Sequence, residues 1–166
     1  MSAASFQVTA LNNHHDRTVF KSGSEPLDRY FHHQVTQDNK RRVTACFVAI
    51  TPDSRIAGYY TLSSASVLLG ELPAALAKKL PRYPSVPAVL MGRLAISQDF
   101  QGQGLGGAML GNALTRAVRS EIAAYAMLVD AKDESAAAFY RHHGFINLPN
   151  QALTLFLPLA GLPATA

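Results

Sequence analysis

The sequence predicts an α/β protein on one mixed sheet, an α+β arrangement rather than an all-parallel one. Three observations lead there. Apolar runs of strand length alternate with amphipathic segments of helix length, but helices separate the strands only in the second half of the chain. Two strands of the first half are joined by a tight turn, which makes an antiparallel pair. The composition, 48% apolar and 16% charged over 166 residues, suits one hydrophobic core and a single domain spanning 1–166. The expected order is β-α-β-β-loop-β-α-β-α-β.

Each element has a local cause. Residues 6–11 form a short first strand. Ser24 stands as N-cap ahead of Glu25 and Pro26, and Leu27, Tyr30, Phe31, Gln34 and Val35 share one face of a helix from Pro26 to Asp38. VTACFVAI at 43–50 is a buried strand, Thr51-Pro52-Asp53-Ser54 a turn, and RIAGYYTLS at 55–63 the hairpin partner. Pro73, Pro81, Pro84 and Pro87 break up residues 70–87 around the short helix ALAKKL, a loop-rich excursion of the kind that often carries function. AVLMGRLAI at 88–96 is the next strand. A glycine-rich loop follows, then a helix to Ser120. Leu105, Met109, Ala113, Leu114, Ala117 and Val118 face inward on it, and Asn112, Thr115, Arg116 and Arg119 face outward. AMLVDA at 126–131 is a strand. Asp133 caps a helix ending at His142, with Gly144 as its C-cap, and ALTLFL at 152–157 is the last strand.

Several function classes are excluded by composition. Cys46 is the one cysteine, set in an apolar run, so no intrachain disulfide forms and the residue reads as a small buried side chain rather than a nucleophile. The N-terminus lacks the basic and apolar regions of a signal peptide, and no apolar run reaches the ~20 residues that span a bilayer. A cytoplasmic protein with no membrane partner is expected. The net charge of +4 is grouped at Lys40-Arg41-Arg42, at Lys78-Lys79 with Arg82, and at Arg116 and Arg119. That grouping permits an RNA partner, and solvated surface charge accounts for it too.

Residues 101–106 read Gln-Gly-Gln-Gly-Leu-Gly, and Gly107 follows. Glycine inside a helix costs about 1 kcal/mol relative to alanine. Gly102, Gly104, Gly106 and Gly107 at a helix start therefore need a reason. Helix N-termini carry unpaired N–H groups and a partial positive charge, and phosphates bind there. Three readings compete. Gly102, Gly104 and Gly107 match a dinucleotide fingerprint, with Asp130 ending the next strand as its ribose acid. Ser97 to Gln101 intervene after Ile96, and the remaining chain is short for that fold. A second reading has the glycines serve only close helix–strand packing. The third is an anion cradle of the form Gln-x-x-Gly-x-Gly. A P-loop is excluded, because the loop contains no lysine.

Gln101 to Gly106, set between a strand and a long helix, resembles the pyrophosphate-binding motif of the GNAT family of N-acetyltransferases. Downstream, Phe139-Tyr140-Arg141-His142-His143-Gly144-Phe145 is similar to that family's (Phe/Leu)-Tyr-x-x-x-Gly-Phe segment. Two motifs in the expected order, one strand apart, are far more specific than either alone. The resemblance implies acetyl-CoA as donor. It places Gln101, Gly102, Gln103, Gly104, Leu105, Gly106 and Gly107 at the pyrophosphate, the backbone of Leu94, Ala95 and Ile96 along the pantetheine arm, and Phe139 beside the cofactor. Tyr140 falls to the thioester sulfur, as general acid for the departing thiolate. The amine attacks directly, and a backbone N–H of the Leu94–Ile96 strand stabilises the oxyanion. Asp133 replaces an asparagine that many relatives use against the cofactor, so that contact is not carried over. Glu71, Asp99, Asp130 and Glu134 offer no clear general base, which leaves water to take the proton.

The resemblance narrows further. Phe20-Lys21-Ser22-Gly23, Pro26-Leu27-Asp28-Arg29-Tyr30, Gln37-Asp38, Arg41-Arg42-Val43, Gly58-Tyr59-Tyr60-Thr61-Leu62, Leu80-Pro81-Arg82-Tyr83-Pro84 and Gly92-Arg93-Leu94-Ala95 resemble the acetyltransferase toxins of toxin–antitoxin pairs. The likeness runs from residue 16 to 158 and departs at Lys21-Ser22. It implies acetylation of the α-amino group of aminoacyl-tRNA, which blocks translation. It also implies neutralisation by a ribbon-helix-helix antitoxin, and a homodimer. Lys40, Arg41, Arg42, Lys78, Lys79 and Arg93 become candidates for the RNA backbone and acceptor end. Arg93 is the first choice, with a salt bridge inside the fold as its alternative. Two other functions stay open: acetylation of a small amine or protein N-terminus, and a non-catalytic co-repressor module. The pairs His14-His15, His32-His33 and His142-His143 point about 100° apart on a helix, unlike i, i+4 metal ligands, so no metal is expected.

Overall fold

The computed structural model describes residues 5–163. Residues 1–4 and 164–166, the ends of the expected domain, lie outside the described residues. The strands are β1 (Gln7–Ala10), β2 (Ala45–Ile50), β3 (Ile56–Leu68), β4 (Ser85–Ile96), β5 (Ala126–Asp130), β6 (Ile146–Asn147) and β7 (Thr154–Pro158). The helices are α1 (Glu25–His33), α2 (Val35–Lys40), α3 (Ala74–Ala77), α4 (Leu105–Arg119) and α5 (Glu134–His142). Strand order is β1-β2-β3-β4-β5-β7-β6, and β4–β5 is a parallel pair among antiparallel ones, so the sheet is mixed as expected. The chain divides into two compact units. One comprises the chain up to Ser63 with Gly92–Ala113, the other Ser64–Met91 with the chain from Leu114 onward.

In the first unit, β1 pairs with β2 from Gln7↔Ile50 to Ala10↔Phe47, and β2 with β3 from Ala45↔Leu62 to Ile50↔Ile56. Phe20, Phe31, Val35, Val48, Tyr59 and Ala95 are buried together. The Phe31 and Tyr59 rings stack at 4.2 Å and 8°, a contact worth roughly 0.5–1.5 kcal/mol beyond burial. The Tyr59 hydroxyl donates to the Leu27 carbonyl at 2.7 Å.

The expected helix from Pro26 to Asp38 is two helices, broken at Gln34 (φ −120°, ψ −32°). The cause is an inserted donor. Arg17 Nη1 donates to the Phe31 carbonyl, which a continuous helix would reserve for the Val35 N–H, while Arg17 Nη2 donates to Thr36 Oγ1 at 2.8 Å. Ser24 occupies the N-cap position but makes no side-chain capping bond. Asp28 instead accepts from Ser22 N at 2.9 Å and Ser22 Oγ at 2.7 Å, fixing the approach to the helix. β2 starts at Ala45 rather than residue 43, because Val43 N and Thr44 N turn back onto the Asp38 carbonyl.

In the second unit, β4 and β5 run parallel from Ala88↔Ala126 to Met91↔Val129, and β7 pairs antiparallel with both β5 and β6. Val67, Leu72, Val86, Ala88, Ala126, Leu128, Leu148 and Phe156 form the core. β3 continues to Leu68, five residues past the expected end, and β4 starts at Ser85, so Pro87 sits in a strand rather than a loop. Pro87 serves there as an acceptor: its carbonyl takes the Tyr125 N–H at 2.8 Å. The two-residue β6 is too short to leave a periodic signal in sequence.

Candidate active site

The candidate residues fall in both units, and each group is built by its own unit. In the first, β4 ends with Ala95 buried and Leu94 and Ile96 half-buried. Gly58 lets β3 come close to this segment. A Cβ there would lie 2.9 Å from Ile96 Cδ1 and 3.0 Å from the Ala95 carbonyl oxygen. Ser97 N then donates to Ala57 O at 2.8 Å, and Gln98 N to Lys21 O at 2.8 Å.

Gln101 is a fastener. Its Nε2 donates to Ile96 O and to Ser22 O, both at 2.8 Å, tying the loop to the strand behind it and to a segment 79 residues earlier. Its side-chain amide is thus occupied by the protein itself. Gly102 (φ +77°) and Gly104 (φ +80°) then take left-handed conformations, where a Cβ would meet nothing within 4 Å. Glycine is needed here for backbone angle. The surrounding space is open to a ligand, and residues 101–104 are exposed.

Helix α4 starts at once. Its first bond runs from Ala108 N to Gly104 O at 3.1 Å, so the N–H groups of Leu105, Gly106 and Gly107 precede intrahelical pairing. No acidic residue stands in the first turn. Exposed backbone donors, a helix N-terminus and no competing carboxylate make a site that fits a pyrophosphate.

Arg93 also belongs to this unit. Its guanidinium lies 3.4 Å from the centroid of the Tyr30 ring, and Tyr30 Oη donates to Asp38 Oδ2 at 2.8 Å. No carboxylate among the described residues forms an ion pair with it, so the stack replaces the salt bridge left open from sequence. Sequence reasoning misses Tyr30 and Asp38 as site residues, since only the fold brings them to Arg93. Burial, then the bond to Asp38, raises the Tyr30 phenol above its ordinary range. Asp38 is held low by bonds from Gln34 and Tyr30. Lys40, Arg41 and Arg42 are exposed just beyond, Arg42 in a left-handed turn at φ 59°. Cys46 is buried, which pushes its thiol up to about 12, as suits a core residue and not a nucleophile.

In the second unit, Asp133 caps α5 as expected, its Oδ1 accepting from Ala136 N at 2.8 Å. That bond gives the aspartate a structural task. Gly144 ends the turn at φ +94°. Tyr140 is buried between Phe139 and Phe145, with ring centroids 5.3 and 5.5 Å away. Burial raises its phenol above the ordinary value near 10. Its hydroxyl makes no hydrogen bond among the described residues, although buried tyrosines ordinarily find one. The half-buried Phe139 ring also meets His143 at 4.8 Å. Lys78 and Lys79 are exposed at the end of α3.

Residues 44–147 match the acetyltransferase (GNAT) domain model, well over half of the chain, and the protein belongs to that family. Within it, the chain is similar to the tRNA-acetylating toxin of Mycobacterium tuberculosis, at 35% identity over 86% of this chain and 85% of the relative. It is also similar to the probable toxin TacT of Sinorhizobium fredii, at 28% identity over 89% of this chain and 87% of that one. Among solved structures, AtaT complexed with acetyl-methionyl-tRNAfMet superposes with TM-score 0.86 at 27% identity, covering 93% of this chain and 95% of that one. AtaTR bound with acetyl-CoA gives 0.81 at 26%, covering 93% and 94%.

Proposed function

We propose that this protein transfers the acetyl group of acetyl-CoA to the α-amino group of aminoacyl-tRNA and so blocks translation. The observation that carries the chemistry is the hydroxyl of the buried Tyr140, which has no hydrogen-bond partner among the described residues, in a chain whose glycine loop is exposed. The substrate class rests on the 35% identity with a tRNA-acetylating toxin across most of both chains.

Acetyl-CoA, when bound, supplies an activated thioester. Gly102, Gln103, Gly104 and the first-turn N–H groups of Leu105, Gly106 and Gly107 hold its pyrophosphate. Leu94, Ala95 and Ile96, past the last β5-paired residue Met91, offer backbone groups to the amide-rich arm, and one N–H to the developing oxyanion. Gln101 holds the loop in shape. Tyr140 Oη keeps its proton through neutral pH and gives it to the leaving sulfur. Burial holds the Tyr140 phenol above its ordinary value, which keeps the acid loaded at neutral pH. Arg93, Lys40, Arg41, Arg42, Lys78 and Lys79 meet RNA phosphates. The protein works as a homodimer in the cytoplasm, and a ribbon-helix-helix antitoxin neutralises it.

The test is incubation with acetyl-CoA and total charged tRNA, then identification of the acetylated aminoacyl group. Acetylation of a free amine with none on aminoacyl-tRNA would overturn the substrate assignment.

A further inference from the structure

The excursion between β3 and β4 holds a feature that the catalytic assignment does not use. Tyr83 is 65% exposed, and its side chain has no ring contact or hydrogen bond among the described residues. The loop that carries it is stiff. Pro81 and Pro84 bracket Arg82-Tyr83, Tyr83 N donates to Pro81 O at 2.9 Å, and Leu69 N donates to Pro84 O at 3.1 Å. Prolines fix their own φ and restrict the residue before them, so the ring is presented at little further entropic cost.

The charge around it is one-sided. Lys78, Lys79 and Arg82 are exposed on the same short segment. The carboxylate there, Glu71, is engaged, accepting from Leu68 N at 3.0 Å and from Gln151 Nε2 at 3.5 Å. An aromatic face left in water beside unpaired cations matches single-stranded RNA, in which bases stack on aromatic rings and phosphates meet lysine and arginine.

We propose that Tyr83 is a stacking platform for an unpaired base of the RNA substrate, with Arg82, Lys78 and Lys79 on the adjoining phosphates. The proposal rests on the aminoacyl-tRNA reading and adds the residue that holds the strand.

The chain contains no tryptophan, so Tyr83→Trp places a single fluorescent reporter at the site. Titration with deacylated tRNA should quench its emission saturably, and rising salt should reverse the effect. Tyr83→Ala should raise KM for aminoacyl-tRNA by about 5- to 150-fold, the range of one base–aromatic stack, with KM for acetyl-CoA unchanged. Tyr83→Phe should behave as wild type, because stacking uses the ring and not the hydroxyl. Unaltered indole emission from Tyr83→Trp at saturating tRNA overturns the proposal. So does an unchanged KM in Tyr83→Ala, or a defect in that variant confined to antitoxin binding. Should the wild-type enzyme acetylate no aminoacyl-tRNA, the functional reading fails separately, and the fluorescence titration still decides the platform.

Discussion

The guanidinium carbon of Arg93 lies over the Tyr30 ring, 3.4 Å from its centroid. The Tyr30 hydroxyl is in turn anchored on Asp38. Arg93 makes no hydrogen bond or ion pair among the described residues, which leaves its N–H groups for a ligand. Arg93→Ala should therefore do two things. It should cost about 0.5–2 kcal/mol of stability through the lost cation–π contact. It should also raise KM for aminoacyl-tRNA about 10- to 100-fold, as expected for one charge-assisted hydrogen bond, and leave KM for acetyl-CoA alone. Arg93→Lys keeps the charge but loses the planar fork, so it should restore only part of the affinity. Thermal melts and steady-state kinetics on both substrates check this together.

Glycines in two places should fail for different reasons. Gly102 and Gly104 have open space but left-handed angles, so alanine at either should cost roughly 1–2 kcal/mol by strain alone. It should also weaken acetyl-CoA binding, read as a higher KM. Gly58→Ala meets the Ala95 carbonyl oxygen at 3.0 Å, and backbone cannot swing aside. That variant should lose about 1–3 kcal/mol through overpacking, with the damage visible in the melt before any kinetic effect.

The structure gives Asp133 work as the N-cap of α5. Asp133→Asn retains an acceptor but loses the charge, so it should melt between wild type and Asp133→Ala. Asp133→Ala should lower Tm by a few degrees and loosen the helix that carries Tyr140, which reduces kcat with it. Because bonds from Ala136 N and Lys132 hold the Asp133 carboxyl low, its contribution is present above the usual carboxylate range. It is lost as pH falls through the lowered value. The difference between Asp133→Ala and wild type should therefore vanish in strongly acidic melts.

Much of the site is legible in the chain itself. The glycine loop and the Tyr140 segment are local motifs, and local backbone demands leave local marks: positive φ at Gly102, Gly104 and Gly144, a cap at Asp133. What stays hidden depends on residues far apart in sequence. Gln101 meets Ser22 across 79 residues, and no spacing rule predicts that. The break at Gln34 follows from Arg17, which lies outside the helix whose carbonyl it takes. Arg93 stands out in sequence as an acceptor-end candidate with an internal ion pair as the alternative, but the ring it meets comes from α1, and no spacing rule brings that forward. Pro87 misleads because a proline reads as a strand breaker, whereas here its carbonyl is the group in use.

Tyr140→Phe isolates the chemistry. Phenylalanine keeps the packing against Phe139 and Phe145, and the lost hydroxyl has no hydrogen bond among the described residues, so the melting temperature should not move. The kcat should fall about 10²- to 10⁴-fold, the usual span for one general acid. The pH profile is the sharper test. At low pH the attacking α-amino group is protonated, so the rate should rise through its pKa near 8. Burial raises the Tyr140 phenol, so the acid stays loaded and the plateau should continue beyond pH 10. Stability moves the other way. Tyr30, Tyr59, Tyr140 and Cys46 all have folded values raised by burial. Their contribution is whole below their unfolded values and is lost above pH about 9 for the thiol and about 10 for the phenols. Melts recorded at each pH therefore separate unfolding from loss of the acid. A falling limb near pH 10 in fully folded wild-type enzyme, absent from the residual activity of Tyr140→Phe, would show that Tyr140 ionises in the ordinary range and does not hold its proton in the way proposed.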